Sequence, residues 1–188
     1  MAGLRVIGGT ARGRRLKLAP GDSTRPVMDR VKEALFNIIG AGIVEATFLD
    51  LFGGTGSVGI EALSRGAAGA TFIDADKFAV RTIRENLASV GFTESAKVSR
   101  GDALDYLKGK PLTAYDYIYI APPQYKGLWA ESLRLIEAQP DWLNPDGWAI
   151  AQIDPVEYDA LALKNLVLFD QRKYGSTLLC FYERPGEK

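Results

Sequence analysis

A short apolar run, an acidic residue and a cluster of glycines follow one another in the first half of the chain, in the segment FLDLFGGTGSVG at residues 48–59. The apolar residues predict a buried strand, and the residues from Ser57 onward predict a helix. The glycines between them allow the backbone to turn sharply and to approach another molecule closely. A strand, a glycine loop and a helix N-terminus in this order are typical of a nucleotide-binding corner.

Asp50 bears on which nucleotide this corner accepts. The glycine spacing matches the dinucleotide fingerprint, and Asp74 lies about 20 residues on, where that fingerprint has a ribose-binding acid. However, Asp50 ends the strand directly before the loop, so its carboxylate is expected on the ligand side and would repel a pyrophosphate. It would attract the ammonium and sulfonium groups of S-adenosylmethionine. The alternatives are a nicotinamide dinucleotide, or a simple turn that Asp50 caps.

Two further acids follow predicted strands. Asp74 ends the next strand, and its two carboxylate oxygens can accept hydrogen bonds from a ribose diol. Asp76 is predicted to cap the following helix. Asp102, in the segment SRGDAL, is a candidate N-cap of a helix over ALDYL. The segment also resembles the third motif of the class I methyltransferases, which implies a contact of Asp102 to the adenine, and the two roles are compatible.

A second candidate site is the segment YIYIAPPQY at residues 117–125. The paired prolines fix two backbone φ angles at the end of a predicted strand. Enzymes that methylate the amines of nucleobases or glutamine carry a polar residue, two prolines and an aromatic residue at such a position. Here Ala121 replaces the polar residue. We expect Gln124 to supply the missing acceptor and Tyr125 to stack on an extruded base; the alternative is a plain turn.

Composition excludes several functions. The chain has 188 residues, 47% of them hydrophobic, which is enough for one core and one domain. It has no histidine, which excludes Ser-His-Asp catalysis and most zinc sites, and no cluster with metal-ligand spacing, so no metal is expected. A single cysteine, Cys180, and the absence of a long apolar run or signal core predict a cytoplasmic protein with no membrane span.

The charges are unevenly distributed although the net charge is zero. Residues 1–32 contain eight basic and two acidic side chains, a net charge of +6, so the other residues sum to −6. Glycines interrupt the basic residues and aromatic residues are absent, which favours a phosphate-contacting hairpin over a base-stacking surface. The alternative is an ordinary solvated surface. The candidate RNA-binding residues are Arg5, Arg12, Arg14, Arg15, Arg25 and Arg30.

The order of elements predicts an α/β fold. A hairpin of Leu4–Ile7 and Arg15–Leu18 and a helix over Pro26–Ile39, capped by Thr24, precede alternating strands and helices. This alternation predicts a mainly parallel, Rossmann-like sheet with helices on both faces. Three strands near the C-terminus, the last two a hairpin, would complete seven strands with an antiparallel one. The predicted strands are 47–51, 70–74, 97–100, 117–120, 148–153, 166–171 and 176–184, and the predicted core helices are 57–64, 77–90, 103–107 and 126–138.

These motifs resemble the class I methyltransferases: DLFGGTG resembles their first motif, FIDAD the second and SRGDAL the third. Together with RVIGGTARGRRL and TRPVMDRVKEALFNII, they resemble more narrowly the RsmD family, from about Leu4 to Leu128. The family methylates the exocyclic N2 of a guanine in 16S ribosomal RNA. The resemblance implies S-adenosylmethionine as cofactor and the ribosomal RNA of the small subunit as partner, and a monomer is compatible with it.

Carried over by position, the resemblance implies roles for individual residues. The cofactor-binding residues would be Asp50, Phe52, Gly54, Gly56, Asp74, Ala75, Asp102 and Ala103. The target-binding and catalytic residues would be Pro122, Pro123, Gln124 and Tyr125. Residues 1–40 would form a basic extension and residues 41–188 the catalytic core of a single domain. Ala121 departs from the pattern and leaves open a non-catalytic RNA-binding or ribosome-assembly factor; a DNA amino-methyltransferase ranks lower because the chain has no room for a target-recognition domain.

Overall fold

The computed structural model describes residues 3–21 and 27–186. Within them lie five α-helices and seven β-strands, together with four short 3₁₀ turns. The helices are α1 (Asp29–Ile39), α2 (Ser57–Ser64), α3 (Lys77–Val90), α4 (Ala103–Lys108) and α5 (Leu128–Ala138). The strands are β1 (Thr47–Asp50), β2 (Gly69–Asp74), β3 (Ala96–Arg100), β4 (Tyr115–Ile120), β5 (Leu143–Ile153), β6 (Val167–Tyr174) and β7 (Thr177–Glu183).

The strands form one sheet in the order β3-β2-β1-β4-β5-β7-β6. The first five strands in this order are parallel, whereas β7 runs antiparallel to β5 and to β6. The order reverses between β1 and β4, so the carboxyl ends of these two strands border a crevice where ligands bind in such sheets. The predicted mainly parallel seven-stranded sheet with an antiparallel C-terminal strand is confirmed.

Helices cover both faces of the sheet. Consecutive side chains of its central strands pack alternately into two apolar clusters, one on each face. In β1, Phe48 packs with the apolar side chains of α1, α2 and α3, whereas Leu49 packs with those of α4 and α5. Side chains of consecutive strand residues point to opposite faces, so a strand buried on both sides is apolar throughout. This packing holds the ends of the central strands rigidly at one edge of the sheet.

The N-terminal hairpin differs from its prediction. The segments Leu4–Ile7 and Arg15–Leu18 pair through an isolated bridge, Arg5 to Arg15, and a few backbone hydrogen bonds beside it, such as that from the N–H of Leu16 to the carbonyl of Leu4, but they do not form extended strands. The reason is that neighbouring backbone groups bond to the core: the N–H groups of Ile7 and Gly8 donate to the carboxylate of Glu61 on α2. The hairpin is thus fastened to α2 and does not form a free two-stranded sheet.

Several element boundaries also differ from their predictions; for example, β4 begins at 115 instead of 117, and β6 ends at 174 instead of 171. Helix α1 begins at Asp29 and its N-cap is Met28 in an extended conformation; the predicted start, Pro26, and the predicted cap, Thr24, lie outside the described residues. Helix α5 begins at Leu128 because Gly127 before it has a left-handed φ of 66°. Strand β5 begins at Leu143, earlier than predicted, because the turn-like sequence NPDG at 144–147 is paired with the chain around Arg184.

Candidate active site

A cavity of about 650 Å³ lies at the carboxyl ends of β1, β2, β3 and β4. This size is within the range of small-molecule sites, which is roughly 300–1,000 Å³. Every predicted cofactor residue except Gly56 lines it, and so do all four predicted target-binding residues. Those lining residues are Asp50, Phe52, Gly54, Asp74, Ala75, Asp102, Ala103, Pro122, Pro123, Gln124 and Tyr125.

The glycine loop forms the turn between β1 and α2 as its sequence predicts. Gly54 and Gly56 have left-handed φ angles of 59° and 81°, which only glycine adopts without strain. Gly59, one turn into α2, lies against Phe72, where a Cβ atom would approach the ring to 2.3 Å. The first two glycines therefore shape the loop, and the third allows α2 to pack closely on β2.

Asp50 is only 2% exposed, although it lines the cavity. Its Oδ2 accepts a hydrogen bond of 3.1 Å from the N–H of Gly59. Burial raises the pKa of Asp50 well above its usual range, the Gly59 hydrogen bond lowers it, and the negative charge of Asp74 raises it further. A buried carboxylate of this kind favours a cationic ligand group beside it, because a cation restores the stabilisation that water supplies to an exposed one.

Asp74 occupies the end of β2 and is held by two backbone groups. Its Oδ2 accepts from the N–H of Gly54 and its Oδ1 from the N–H of Asp76, both at 2.9 Å. Asp76 itself caps α3 by accepting from Phe78, as predicted. The Asp74 carboxylate is thereby fixed beside the glycine loop, with its remaining lone pairs available to ligand hydroxyls.

Asp102 has the capping role that the sequence predicts for it, and its contact to the adenine stays a prediction. It is the N-cap of α4, accepting from the N–H of Asp105 at 2.9 Å, and it also lines the cavity. Ala103 follows it at the start of α4 and lines the same wall. These residues form the far end of the cavity, next to Asp74.

The segment from Ala121 to Tyr125 forms the opposite wall. Tyr125 has a left-handed φ of 64°, which is uncommon outside glycine, and the residue is 67% exposed. Its N–H donates to Glu157 at 2.6 Å and its hydroxyl donates to Asp154 at 2.9 Å. The loop after β4 is therefore tied to the segment after β5, which presents the Tyr125 ring at the mouth of the cavity.

Several lining residues were not predicted to belong to the site, among them Tyr119, Gln152 and Thr177. The hydroxyl of Tyr119 donates a hydrogen bond to Oε1 of Gln152. Burial raises the pKa of Tyr119 well above its usual value, and the charge of Asp50 raises it further, so the hydroxyl keeps its proton. Tyr119 lies within the segment YIYIAPPQY, although no role was predicted for it; no local motif marks Gln152 or Thr177, which strand pairing brings to the cavity.

The candidate RNA-binding arginines within the described residues are all exposed: Arg5, Arg12, Arg14, Arg15 and Arg30. Three of them contact other groups. Arg5 pairs with Asp29 at 3.0 Å, Arg14 donates to the backbone carbonyl of Ser89, and Arg30 lies 6.0 Å from the ring centre of Tyr174. Arg25 lies outside the described residues.

A buried ion pair fixes the basic segment to the core and was not predicted. Lys32 on α1 and Glu61 on α2 are both 0% exposed, with 3.6 Å between Nζ and Oε2. Glu61 also pairs with Arg65 at 3.0 Å and accepts from the hairpin backbone. Burial lowers the pKa of Lys32, and the charge of Glu61 opposes that shift. The helix that begins at the glycine loop thus also anchors the basic hairpin.

The remaining features are a possible metal site, a possible membrane-spanning helix and Cys180. Among residues 3–21 and 27–186, no group of His, Cys, Asp and Glu could hold a metal ion. No helix in this part of the chain is long and apolar enough to cross a membrane. Cys180 on β7 is buried in the core, and this burial raises the pKa of its thiol to about 11.

Comparison with known proteins gives three consistent findings. Residues 4–183 match the model of a family described as conserved hypothetical protein 95. The ribosomal RNA small subunit methyltransferase D of Escherichia coli is 40% identical over 184 residues, which is 98% of this chain and 91% of the relative. The solved yhhF structure, also from E. coli, superposes with a TM-score of 0.86 at 34% identity over 97% of this chain and 98% of that one.

A more distant structure shows the same fold in a ligand complex. The RNA methyltransferase of Salinibacter ruber in complex with S-adenosyl-L-homocysteine superposes with a TM-score of 0.67 at 15% identity, covering 87% of this chain and 96% of the other. At this identity the likeness concerns the fold alone. The fold is therefore that of the class I methyltransferases.

Proposed function

The chain belongs to the RsmD family of methyltransferases, and from this premise we propose that it transfers a methyl group from S-adenosylmethionine to the exocyclic N2 of a guanine in 16S ribosomal RNA. The observation that carries the proposal is the position of Asp50, Asp74 and Asp102 along one wall of the cavity that Ala121–Tyr125 closes. In this arrangement the cofactor lies along the carboxylates and the target base enters from the proline loop.

The three acids match the functional groups of S-adenosylmethionine. Asp50 lies beside the glycine loop, where its charge stabilises the ammonium and sulfonium groups. Asp74 accepts from the ribose hydroxyls, and Asp102 with the backbone of Ala103 contacts the adenine. A pyrophosphate in the same place would face the charges of Asp50 and Asp74, so the nicotinamide alternative is disfavoured.

Transfer of the methyl group needs alignment more than acid–base catalysis, because the sulfonium is already a strong electrophile. The lone pair of the guanine N2 attacks the methyl carbon, the carbon–sulfur bond breaks, and its electron pair stays on sulfur as S-adenosylhomocysteine forms. The nitrogen then loses one proton to an acceptor or to water. Pro122 and Pro123 hold the backbone that accepts from the amine, Gln124 supplies a further acceptor, and Tyr125 stacks on the base.

The basic residues before α1 bind the phosphates of the RNA in this proposal. The exposed arginines of the hairpin carry no base-stacking aromatic neighbours in sequence, so they position the RNA without reading its sequence. Residues 1–40 are then a substrate-binding extension of a single domain, and the protein acts as a monomer. Affinity for RNA should fall as the salt concentration rises, with a slope set by the number of phosphates contacted.

The experiment is transfer of radiolabelled methyl from S-adenosylmethionine to small ribosomal subunits from cells that lack this protein, followed by nucleoside analysis. The proposal predicts labelled N2-methylguanosine. Label in another nucleoside would contradict the guanine-N2 assignment. Cofactor binding without any transfer would instead support a non-catalytic RNA-binding factor, the alternative that Ala121 raises.

A further inference from the structure

Ala121 gives the target pocket no side-chain acceptor for a hydrogen bond from the amine. In the amino-methyltransferase pattern this position carries a side chain that accepts a hydrogen bond from the amine, and a methyl group cannot do so. The structure places another polar side chain next to Ala121. The last pair between β4 and β5 is Ile120 with Ala151. The residues that follow them in the chain, Ala121 and Gln152, therefore lie next to each other, and both line the cavity.

The sheet also puts these two side chains on the same face. Tyr119 pairs with Ile150 in the parallel ladder, and side chains two residues further on point the same way. Both Ala121 and Gln152 therefore face the side of the sheet that carries Tyr119. Gln152 is half-buried, and Thr177 on β7 lines the cavity beyond it.

The carboxamide of Gln152 has a defined orientation. Its Oε1 accepts the hydrogen bond from Tyr119, whose ring is 1% exposed and therefore fixed by packing. The carbonyl oxygen retains a second lone pair, and Nε2 makes no hydrogen bond to any residue in the described ranges. One acceptor and two donor hydrogens are thus available to a molecule in the cavity.

We propose that Gln152 binds the target amine, which is the group that receives the methyl. It does so in place of the polar side chain that is missing at Ala121, and the Tyr119 hydroxyl orients it. This inference rests on the proposed methyl transfer to a base amine. The amide oxygen accepts one N–H of the amine and the amide nitrogen donates to the neighbouring ring nitrogen. On guanine these groups are the N2 amine and N3, the donor and acceptor of its minor-groove edge.

Gln124 is the competing candidate, and the two differ in how they are held. Gln124 follows Pro123 in the loop after β4 and forms no hydrogen bond with the described residues, whereas Gln152 is on a central strand and bonded to a buried side chain. A pre-oriented group loses less conformational freedom when it binds, so it contributes more to alignment. Gln152→Ala is therefore expected to slow transfer more than Gln124→Ala.

The test measures kcat for methyl transfer at saturating S-adenosylmethionine, with the cofactor Kd measured separately. Gln152→Ala should lower kcat about 10- to 100-fold, as expected for loss of hydrogen bonds to a buried polar group, while the cofactor Kd stays near the wild-type value. The matched control is Gln171→Ala on β6, whose amide contacts Cys180 outside the cavity; it should retain the wild-type kcat. A wild-type kcat in Gln152→Ala would overturn the inference.

A rescue variant separates this role from a merely structural one. Ala121→Asn restores the acceptor of the family pattern, so the double variant Ala121→Asn/Gln152→Ala should regain most of the lost rate. If the double variant does not regain activity although both single variants fold, Gln152 does not take the place of the polar side chain at position 121. Tyr119→Phe tests the positioning role of the hydroxyl: it should lower kcat less than Gln152→Ala, and the two changes should be non-additive.

Base binding keeps the inference testable if the proposed function itself fails. Should the wild-type protein transfer no methyl to small subunits, the proposed function is wrong, and binding of guanosine 5′-monophosphate to the S-adenosylhomocysteine complex decides the role of Gln152. A Kd raised about 10-fold or more in Gln152→Ala, but not in Gln171→Ala, supports the inference. An equal Kd in both variants overturns it.

Discussion

The two halves of the cavity are built in different ways. In the cofactor half, at the ends of β1, β2 and β3, each of the acids Asp50, Asp74 and Asp102 accepts a hydrogen bond from a backbone N–H, which belongs to the following helix for Asp50 and Asp102 and to the glycine loop for Asp74. In the target half, at the ends of β4 and β5, side chains hold one another, as Tyr119 holds Gln152 and Asp154 holds Tyr125. The backbone-built half follows from short motifs, and the half built from side chains depends on partners distant in the chain.

The largest effect is expected on the free energy of unfolding, at the contacts between the basic hairpin and α2. Glu61→Ala leaves Lys32 buried without its counter-charge and leaves the N–H groups of Ile7 and Gly8 without their acceptor. The free energy of unfolding should fall by about 3–5 kcal/mol. Chemical denaturation measures it, and Glu85→Ala, which breaks only exposed ion pairs, should change it little. Equal stability of the two variants would show that the hairpin is not anchored through α2.

The next effect concerns the cofactor alone. Asp74→Ala removes the acceptor of two backbone hydrogen bonds and of the ribose hydroxyls, so the Kd for S-adenosylmethionine should rise about 100-fold, as expected for lost hydrogen bonds to a charged group. Isothermal titration calorimetry measures this constant. Asp76→Ala, two residues on, removes a helix cap and should cost about 1 kcal/mol of stability with a smaller effect on Kd. A reversed order of the two Kd values would contradict the role of Asp74.

A change in the target half should leave the cofactor half intact. Tyr125→Ala removes the stacking surface, so the KM for the RNA substrate should rise about 10- to 100-fold while the Kd for S-adenosylmethionine is retained. Tyr125→Phe keeps the ring and loses the hydroxyl that bonds to Asp154, so its KM should rise less. If Tyr125→Ala weakened cofactor binding as strongly as RNA binding, the two halves would not be independent.

The smallest effect is a pH dependence of cofactor binding. Burial raises the pKa of Asp50 in the protein without cofactor, and the ammonium of bound cofactor should lower it again, so binding releases a proton. Affinity should therefore rise with pH up to the raised pKa, by at most about tenfold per pH unit, and be flat above it. The same shift lowers the stability of the cofactor-free protein as pH rises, because the unfolded state ionises first. In Asp50→Asn both dependences should disappear; their persistence would assign them to another group.

The contrast between the halves also explains what the sequence could predict. The segments FLDLFGGTGSVG and FIDAD predicted the cofactor half because strand, loop and acid are adjacent in the chain. Gln152 and Tyr119 were missed because they meet only through the pairing of β4 with β5. The strands predicted at Leu4–Ile7 and Arg15–Leu18 are absent for a related reason, since the N–H groups of Ile7 and Lys17 donate to Glu61 and Asn86, which lie far along the chain. Local sequence patterns therefore predicted most helices and strands, whereas the target pocket depends on pairing between residues that are distant in the chain.

The most direct test of this division is a crystal structure of the protein with S-adenosylhomocysteine and guanosine 5′-monophosphate. The account predicts the ribose hydroxyls on Asp74, the adenine beside Asp102, and the sulfur facing a guanine whose N2 lies between Ala121 and Gln152. A nucleoside bound in the opposite direction, with its ribose at Gln152 and its sulfur at Asp102, would contradict it.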